Sequence, residues 1–138
     1  MITARVTPIN EARHFAPHEL FFSLTDDKGR IHYGNQVFTR VSGYEEHQLL
    51  GQPHNLIRHP DMPRGVFRLF WDYLGAQKTI AAYVKNLAAD GRYYWVLAVA
   101  TPSRDGYLSV RLNPSSQFFD LVKKAYAGTL AIESPLET

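Results

Sequence analysis

The sequence predicts an α+β domain: a five-stranded antiparallel sheet with helices inserted between its second and third strands. Two strand-forming segments come before a group of helical segments, and three more strand-forming segments follow it. The turns within these strand groups contain Gly29, Asp90-Gly91 and Asp105-Gly106, and tight turns of this kind join antiparallel neighbours. Because the helices are contiguous in sequence, we expect them to cluster on one face of the sheet.

Local signals predict the individual elements. Asn35 is a preferred N-cap residue and Gly43 a preferred residue just beyond a helix end, so they delimit a short helix. A longer helix is predicted where Phe67, Phe70 and Leu74 recur at helical spacing. The predicted elements are, in order, strands 20–25 and 30–33, helices 36–41, 44–50 and 64–74, strands 80–87, 92–101 and 107–112, and a last helix capped by Ser115 or Ser116.

The chain length predicts one core. A chain of 138 residues buries enough apolar surface to fold without disulfides. We divide it into an N-terminal cap over residues 1–17, a core domain over residues 18–113, and a C-terminal helix over residues 114–138 that connects to an output region.

Composition excludes several classes of function. The chain is 45% hydrophobic and 20% charged, as a globular domain is. The net charge of +2, with scattered Lys and Arg, does not favour nucleic acid as a partner. With no cysteine, disulfides, thiolate metal sites, a cysteine nucleophile and a cysteinyl photoadduct are all excluded. No apolar run approaches the roughly 20 residues of a membrane span, so direct membrane insertion by this segment is not expected.

Residues 51–63, here called the crossover, combine polar side chains with a stiff backbone. Two histidines, an arginine and an aspartate lie among three prolines, which restrict φ and the residue before them. We predict that Asp61 is the N-cap of the long helix and that Pro63 lies in its first turn. The helix dipole would favour an anion there. A structural interpretation, a rigid loop followed by a capped helix, accounts for the same residues.

At this point the sequence resembles a known family. The chain is similar over residues 18–127 to PAS sensory domains, in particular to those of bacterial aerotaxis receptors and related chemoreceptors. The motif Gly51-Gln-Pro-His-Asn, followed in register by Arg58-His-Pro-Asp-Met-Pro63, is the specific part of the resemblance. The other matching residues are Thr25-Asp-Asp-Lys-Gly29, Asn35, Val41-Ser-Gly-Tyr44, Leu50, Val84-Lys-Asn86, Asp90-Gly91 and Tyr94-Trp95.

The resemblance implies a sensor without catalytic turnover. It implies a bound cofactor or small-molecule ligand, which in the aerotaxis group is non-covalently held FAD read out by its redox state. It implies output through a flanking helix to a downstream signalling domain, and a homodimer as partner. It also implies a cytoplasmic location, including the cytosolic part of a larger membrane-associated receptor. Residues carried over by motif are Arg58, His59 and Asp61 in the flavin-binding loop, Asn35 beside the pocket, Trp71 in its wall, and Asn86 at the isoalloxazine edge.

Strand alternation extends this assignment to the last strands. Side chains alternate between sheet faces, and the resemblance implies the register between neighbouring strands. With Asn86 inward, that register turns Ala98 and Arg111 towards the pocket. It sends Trp95 to the opposite face. A buried guanidinium needs an acid or a ligand. Arg111 therefore either faces a ligand, pairs with a carboxylate such as Asp61, or lies outside the pocket.

Two other hypotheses stay open at this level. Flavin-binding relatives usually have tryptophan where this chain has Ile80, which favours a ligand-free PAS dimer whose pocket is filled by its own side chains. The other hypothesis is a heme sensor, with His54 or His59 as axial ligand. A hydrolase is rejected, because no serine has a partnered histidine and aspartate.

Overall fold

The computed structural model describes residues 6–114 and 118–133, and it has the predicted architecture. Five strands form one antiparallel sheet in the order β2-β1-β5-β4-β3. The elements are β1 Phe21–Asp26, β2 Ile31–Gly34, α1 Gln36–Ser42, α2 Glu46–Leu49, a 3₁₀ helix His54–Ile57, α3 Arg64–Gly75, β3 Ile80–Leu87, β4 Tyr93–Ser103, β5 Gly106–Leu112 and α4 Phe118–Ile132. The predicted caps Ser115 and Ser116 lie outside the described residues.

Most predicted boundaries are confirmed to within one or two residues, because they depend on local chemistry. The Asn35 side chain accepts bonds from the amides of Phe22 and Phe38, at 3.2 Å each, and caps α1. Gly43 ends α1 in the left-handed region. The second helix is shorter than predicted, since its N-cap is Glu45, which forms a capping box with Gln48.

The main core lies on the inner face of the sheet. Phe21, Phe38, Tyr94 and Val96 are almost fully buried there, and the rings of Phe21 and Phe38 stack at 5.8 Å. Burial of aromatic side chains of this size supplies much of the driving force for folding.

Helix α4 packs on the opposite face of the sheet. The ring of Trp95 lies 5.1 Å from Phe119 and 6.2 Å from Tyr126, both on α4. The predicted outward direction of Trp95 is confirmed, and its partner is a helix of the same chain. Within the described ranges no helix has the length and hydropathy needed to cross a membrane.

The start of α3 corrects one prediction. The N-cap residue is Pro63, which offers no side-chain bond, and Asp61 lies two residues too early in the chain to cap the helix. Asp61 instead pairs with Lys85, at 3.1 Å. The cap comes from the far end of the chain: the carboxylate of Glu133 accepts bonds from the amides of Arg64 and Gly65, both at 2.8 Å.

Replacing Glu133 with alanine is expected to lower the free energy of unfolding by about 0.5–1 kcal/mol, the low end for a lost cap at an exposed site. Partial desolvation raises the pKa of Glu133, but the amide bonds from Gly65 and Arg64 outweigh it and lower the pKa overall. The stabilisation by the Glu133 carboxylate is therefore present above the pKa that Glu133 has in the unfolded chain. It is lost as the pH falls through the pKa that Glu133 has in the folded chain. Urea denaturation measures the change in the free energy of unfolding, with the exposed Asp27→Ala variant as control. Equal decreases in the two variants would contradict the assignment of Glu133 as the cap of α3.

Candidate ligand-binding cavity

A cavity of about 290 Å³ lies between α3, the crossover and the inner face of the sheet. Aromatic side chains of α3 form one wall, and the small side chains of β4 leave room opposite them. The lining includes Phe67, Phe70, Trp71 and Leu74 from α3, Val84 and Asn86 from β3, Val96, Ala98 and Ala100 from β4, Tyr107, Ser109 and Arg111 from β5, and His54 and Arg58 from the crossover.

Backbone hydrogen bonds fix the crossover against the first hairpin. The amide of Gly51 donates to the carbonyl of Ile31 at 2.7 Å, and the amide of His54 donates to that of Gly29 at 2.9 Å. At its other end, Arg58 forms an isolated antiparallel bridge with Asn86. The crossover is therefore held at both ends, which places His54 and Arg58 at the cavity.

Five of the eight residues assigned to the site line the cavity: His54, Arg58, Trp71, Asn86 and Arg111. The ring of Trp71 meets Tyr107 edge-on at 5.6 Å and closes the cavity beside the Gly29 turn. His59, Asp61 and Asn35 are not in the lining.

The positions of His59 and Asp61 correct the predicted binding loop. Residue 58 pairs with β3 in an extended conformation, so successive side chains alternate and His59 points away from the cavity. His59 is buried, and its Nδ1 accepts the amide of Asp61 at 3.0 Å. Burial, aided by the charge of Lys85 and opposed by Asp61, lowers the pKa of His59. These two residues brace the loop. Asn35 has a similar structural role as the α1 cap.

Asn86 presents an unsatisfied donor to the cavity. The residue is only 3% exposed, and its Nδ2 has no hydrogen-bond partner among the described residues. An unpaired buried amide costs roughly 1–3 kcal/mol, and such groups are rare in folded proteins. A ligand with an acceptor at this position would satisfy it.

Arg111 is the second buried polar group, and it is also only 3% exposed. Its Nη1 donates to Ser23 Oγ at 3.1 Å, and its Nη2 contacts His54 Nε2. The guanidinium also lies 5.1 Å from the Phe38 ring centroid. Burial lowers the pKa of Arg111 to about 10, with Tyr94 opposing the shift.

No carboxylate pairs with Arg111 in the part of the chain that the structure describes. The hypothesis that Asp61 is its partner is wrong, because Asp61 pairs with Lys85. The alternative position outside the pocket is also wrong, because Arg111 is in the cavity lining. The predicted inward direction is confirmed, as it is for Ala98.

His54 forms a polar cluster with Ser23 and Arg111, and it is neutral. Burial, reinforced by the nearby charge of Arg111, lowers the pKa of His54 to about 3. The Nε2 of a neutral ring has one lone pair, which faces both the Arg111 guanidinium and, at 3.1 Å, the hydroxyl of Ser23. This nitrogen is already engaged, and His59 lies outside the cavity lining; both observations argue against an axial heme ligand.

Ser23 was missed by the sequence reasoning. It is fully buried on β1 and bridges His54 and Arg111. Alternation along β1 could have found it, since Phe21, Ser23 and Thr25 point to the same face, and Thr25 also lines the cavity.

Comparison with known proteins identifies the family. A model described as the PAS fold matches residues 31–110, which is more than half of the chain. The chain belongs to the PAS family. The predicted resemblance is thereby confirmed.

Curated relatives are several times longer than this PAS domain. It is 35% identical to the aerotaxis receptor of Escherichia coli K12 over 130 residues, which cover 91% of this chain and 24% of that protein. It is 35% identical to the nitrogen fixation regulatory protein of Klebsiella pneumoniae over 80 residues, 58% of this chain and 16% of that protein. The PAS domain thus spans about a quarter or less of the length of these curated relatives.

Solved structures agree with the fold. The light-state structure of the LOV domain of the blue-light photoreceptor aureochrome 1 matches 75% of this PAS domain and 88% of that chain, with a TM-score of 0.64 at 23% identity. A light-oxygen-voltage domain studied with a flavin analogue matches 79% of this chain and 86% of that one, with a TM-score of 0.65 at 20% identity.

Proposed function

We propose that this PAS domain is a sensor module whose cavity binds a flavin, foremost FAD, and that it belongs to a cytoplasmic part of an aerotaxis or chemotaxis receptor. The observation that carries the proposal is the unpartnered Nδ2 of Asn86, buried in the cavity. A flavin ring has carbonyl and nitrogen acceptors along one edge, and such an acceptor would satisfy this donor.

The shape of the cavity suits a flat ring. Phe67, Phe70 and Trp71 offer aromatic surface on one side, and aromatic side chains pack favourably against planar ligands. Ala98 and Ala100 leave space on the other side. Ile80 packs with Leu74 and Ala100, so the isoleucine that replaces the usual tryptophan is accommodated within the apolar wall.

The size of the cavity suits the ring alone. Its volume of about 290 Å³ is near the lower limit for small-molecule pockets, so the dinucleotide part of FAD would lie outside. The exposed Lys28 and the partly buried Arg58 are at the cavity edge. Both are cations, and guanidinium groups bind phosphate well.

Relatives and fold neighbours support the proposal. One curated relative is an aerotaxis receptor, and one solved neighbour was studied with a flavin analogue. A ligand would act by changing contacts in the cavity wall, and the signal would pass to a downstream domain. Turnover of a substrate is not part of the proposed function.

The direct test is an absorbance and mass spectrum of the purified protein, followed by titration of apoprotein with FAD. We expect bound flavin, and we expect Asn86→Leu to weaken FAD binding about tenfold or more, since it removes the buried donor. The exposed Asn10→Leu variant is the control. Colourless wild-type protein that also fails to bind added FAD would overturn the proposal.

Filling the cavity is a second test of the same site. Ala98→Leu adds bulk inside the cavity and is expected to reduce FAD affinity by at least tenfold while leaving the fold intact. The matched control is Ala81→Leu, because Ala81 is exposed on β3 and points away from the cavity. Equal FAD affinity in both variants would place the ligand elsewhere.

The ligand-free hypothesis is less well supported. The cavity remains open between α3 and the sheet, whereas that hypothesis expects the domain's own side chains to fill it. The homodimer remains a prediction, and light scattering at high micromolar concentration would test it.

A further inference from the structure

We propose that Arg111, oriented by Ser23 and His54, is a charge-selecting subsite that binds the anionic, reduced state of the flavin ring more tightly than the neutral, oxidised state. This inference rests on the proposed function, because it assigns a role within the same cavity.

The first support is the charge of the described cavity wall. Its basic residues are Lys28, Arg58, Arg111 and His54, and it contains no aspartate or glutamate. Lys28 is exposed and its charge is screened by water, whereas Arg111 is almost fully buried. Arg111 is therefore the charge that a ligand inside the cavity would feel most strongly, since Coulomb interactions grow as water is excluded.

The second support is that the partners of Arg111 do not neutralise it. Ser23 is uncharged, and His54 is neutral because burial and Arg111 itself lower its pKa to about 3. The contacts with the rings of Phe21 and Phe38 also leave the net charge unchanged. A buried guanidinium without a counter-ion is costly, and an anionic ligand would offset that cost.

The third support is the geometry of the cluster. The Ser23 hydroxyl contacts His54 Nε2 at 3.1 Å and accepts from Arg111 Nη1 at 3.1 Å. Two partners thus fix the guanidinium on β5, and the free donor of Asn86 lies on β3. The intervening strand β4 contributes the small residues Ala98 and Ala100. A ring lying over β4 would have donors on both sides.

The charge of the ring changes on reduction. The neutral oxidised ring takes two electrons from a low-potential donor, dithionite in the test, and one proton from water, and therefore carries one negative charge. Positive charge beside the ring is a recognised means of tuning flavin chemistry. Arg111 would stabilise the reduced ring and raise the midpoint potential of the bound flavin above that of free flavin.

The test uses riboflavin, which has no phosphate for Lys28 or Arg58 to attract. Its dissociation constant is measured for the oxidised form by fluorescence, and the midpoint potentials of free and bound riboflavin then give the ratio of affinities for the two states. We expect wild-type protein to favour reduced riboflavin. In Arg111→Gln this preference is expected to fall about tenfold, which corresponds to about 30 mV for two electrons. Arg111→Lys, which keeps the charge, is expected to retain most of it.

The outcomes separate the inference from the proposed function. If wild-type protein binds neither riboflavin nor FAD, the proposed function fails. If it binds riboflavin but Arg111→Gln leaves the preference unchanged, only the inference is overturned. If Arg111→Gln does not fold, wild-type protein decides the question: equal or weaker binding of the reduced form overturns the inference, and tighter binding that Ser23→Ala diminishes supports it.

Discussion

Replacing Phe38 with alanine is expected to lower the free energy of unfolding by about 3–5 kcal/mol, the usual cost of truncating a buried phenylalanine. Phe38 is fully buried, stacks on Phe21 at 5.8 Å and lies parallel to the His54 ring at 6.0 Å. Its removal leaves a void between α1, β1 and the polar cluster of the cavity. Packing this dense relaxes only partly around a void.

Urea denaturation of Phe38→Ala measures the effect. The control is Leu121→Ala on α4, because Leu121 is 64% exposed and substitutions at such sites usually change stability by less than about 0.5 kcal/mol. A loss below about 1 kcal/mol in Phe38→Ala would show that this ring does not contribute to the core as described.

Acidification from about pH 6.5 to pH 4 is expected to destabilise the protein through His54. Its folded pKa of about 3, lowered by burial and then by Arg111, lies below the ordinary value of 6.5. In this window the unfolded chain binds a proton that the folded chain does not. The free energy of unfolding therefore decreases as the pH is lowered, by at most about 1.4 kcal/mol per pH unit for one such group. Above the pKa of the unfolded state this contribution is constant.

Chemical denaturation at several pH values checks this prediction. The His54→Gln variant should have a smaller slope, although His59, whose pKa is also lowered by burial, keeps part of it. The exposed His47→Gln variant is the control and should keep the wild-type slope. Asp26 acts in the same direction, since the Arg30 amide lowers its pKa to about 2, but only below its ordinary 3.8. An identical slope in wild type and His54→Gln would contradict the assignment.

The sequence predicted features that depend on neighbouring residues. Asn35 and Gly43 delimit α1 because a cap acts within one turn of a helix. The inward direction of Asn86 was implied by the family resemblance, and that of Arg111 followed from it through strand register and alternation. Local rules sufficed for the order of elements, whereas the family resemblance supplied the strand register behind the predicted cavity wall.

Partnerships between distant residues could not be predicted in this way. Ser23 and Arg111 are 88 positions apart, and Arg64 and Glu133 are 69 apart; no local pattern selects such pairs. The opposite directions of the Arg58 and His59 side chains were missed for a related reason. Motif position suggested that Arg58 and His59 act together, but pairing with β3 sends their side chains in opposite directions.

The cap from Glu133 gives the fold a mechanical property. Helix α4 packs on the outer face of the sheet through Tyr126. Glu133, at the end of α4, accepts hydrogen bonds from the first amides of α3, the helix that lines the cavity. If α4 moves away from the sheet, the amides of Arg64 and Gly65 lose their acceptor, and if α3 moves, the same two hydrogen bonds weaken. A displacement of either helix is therefore expected to disturb the other, because the bonds from Glu133 join them.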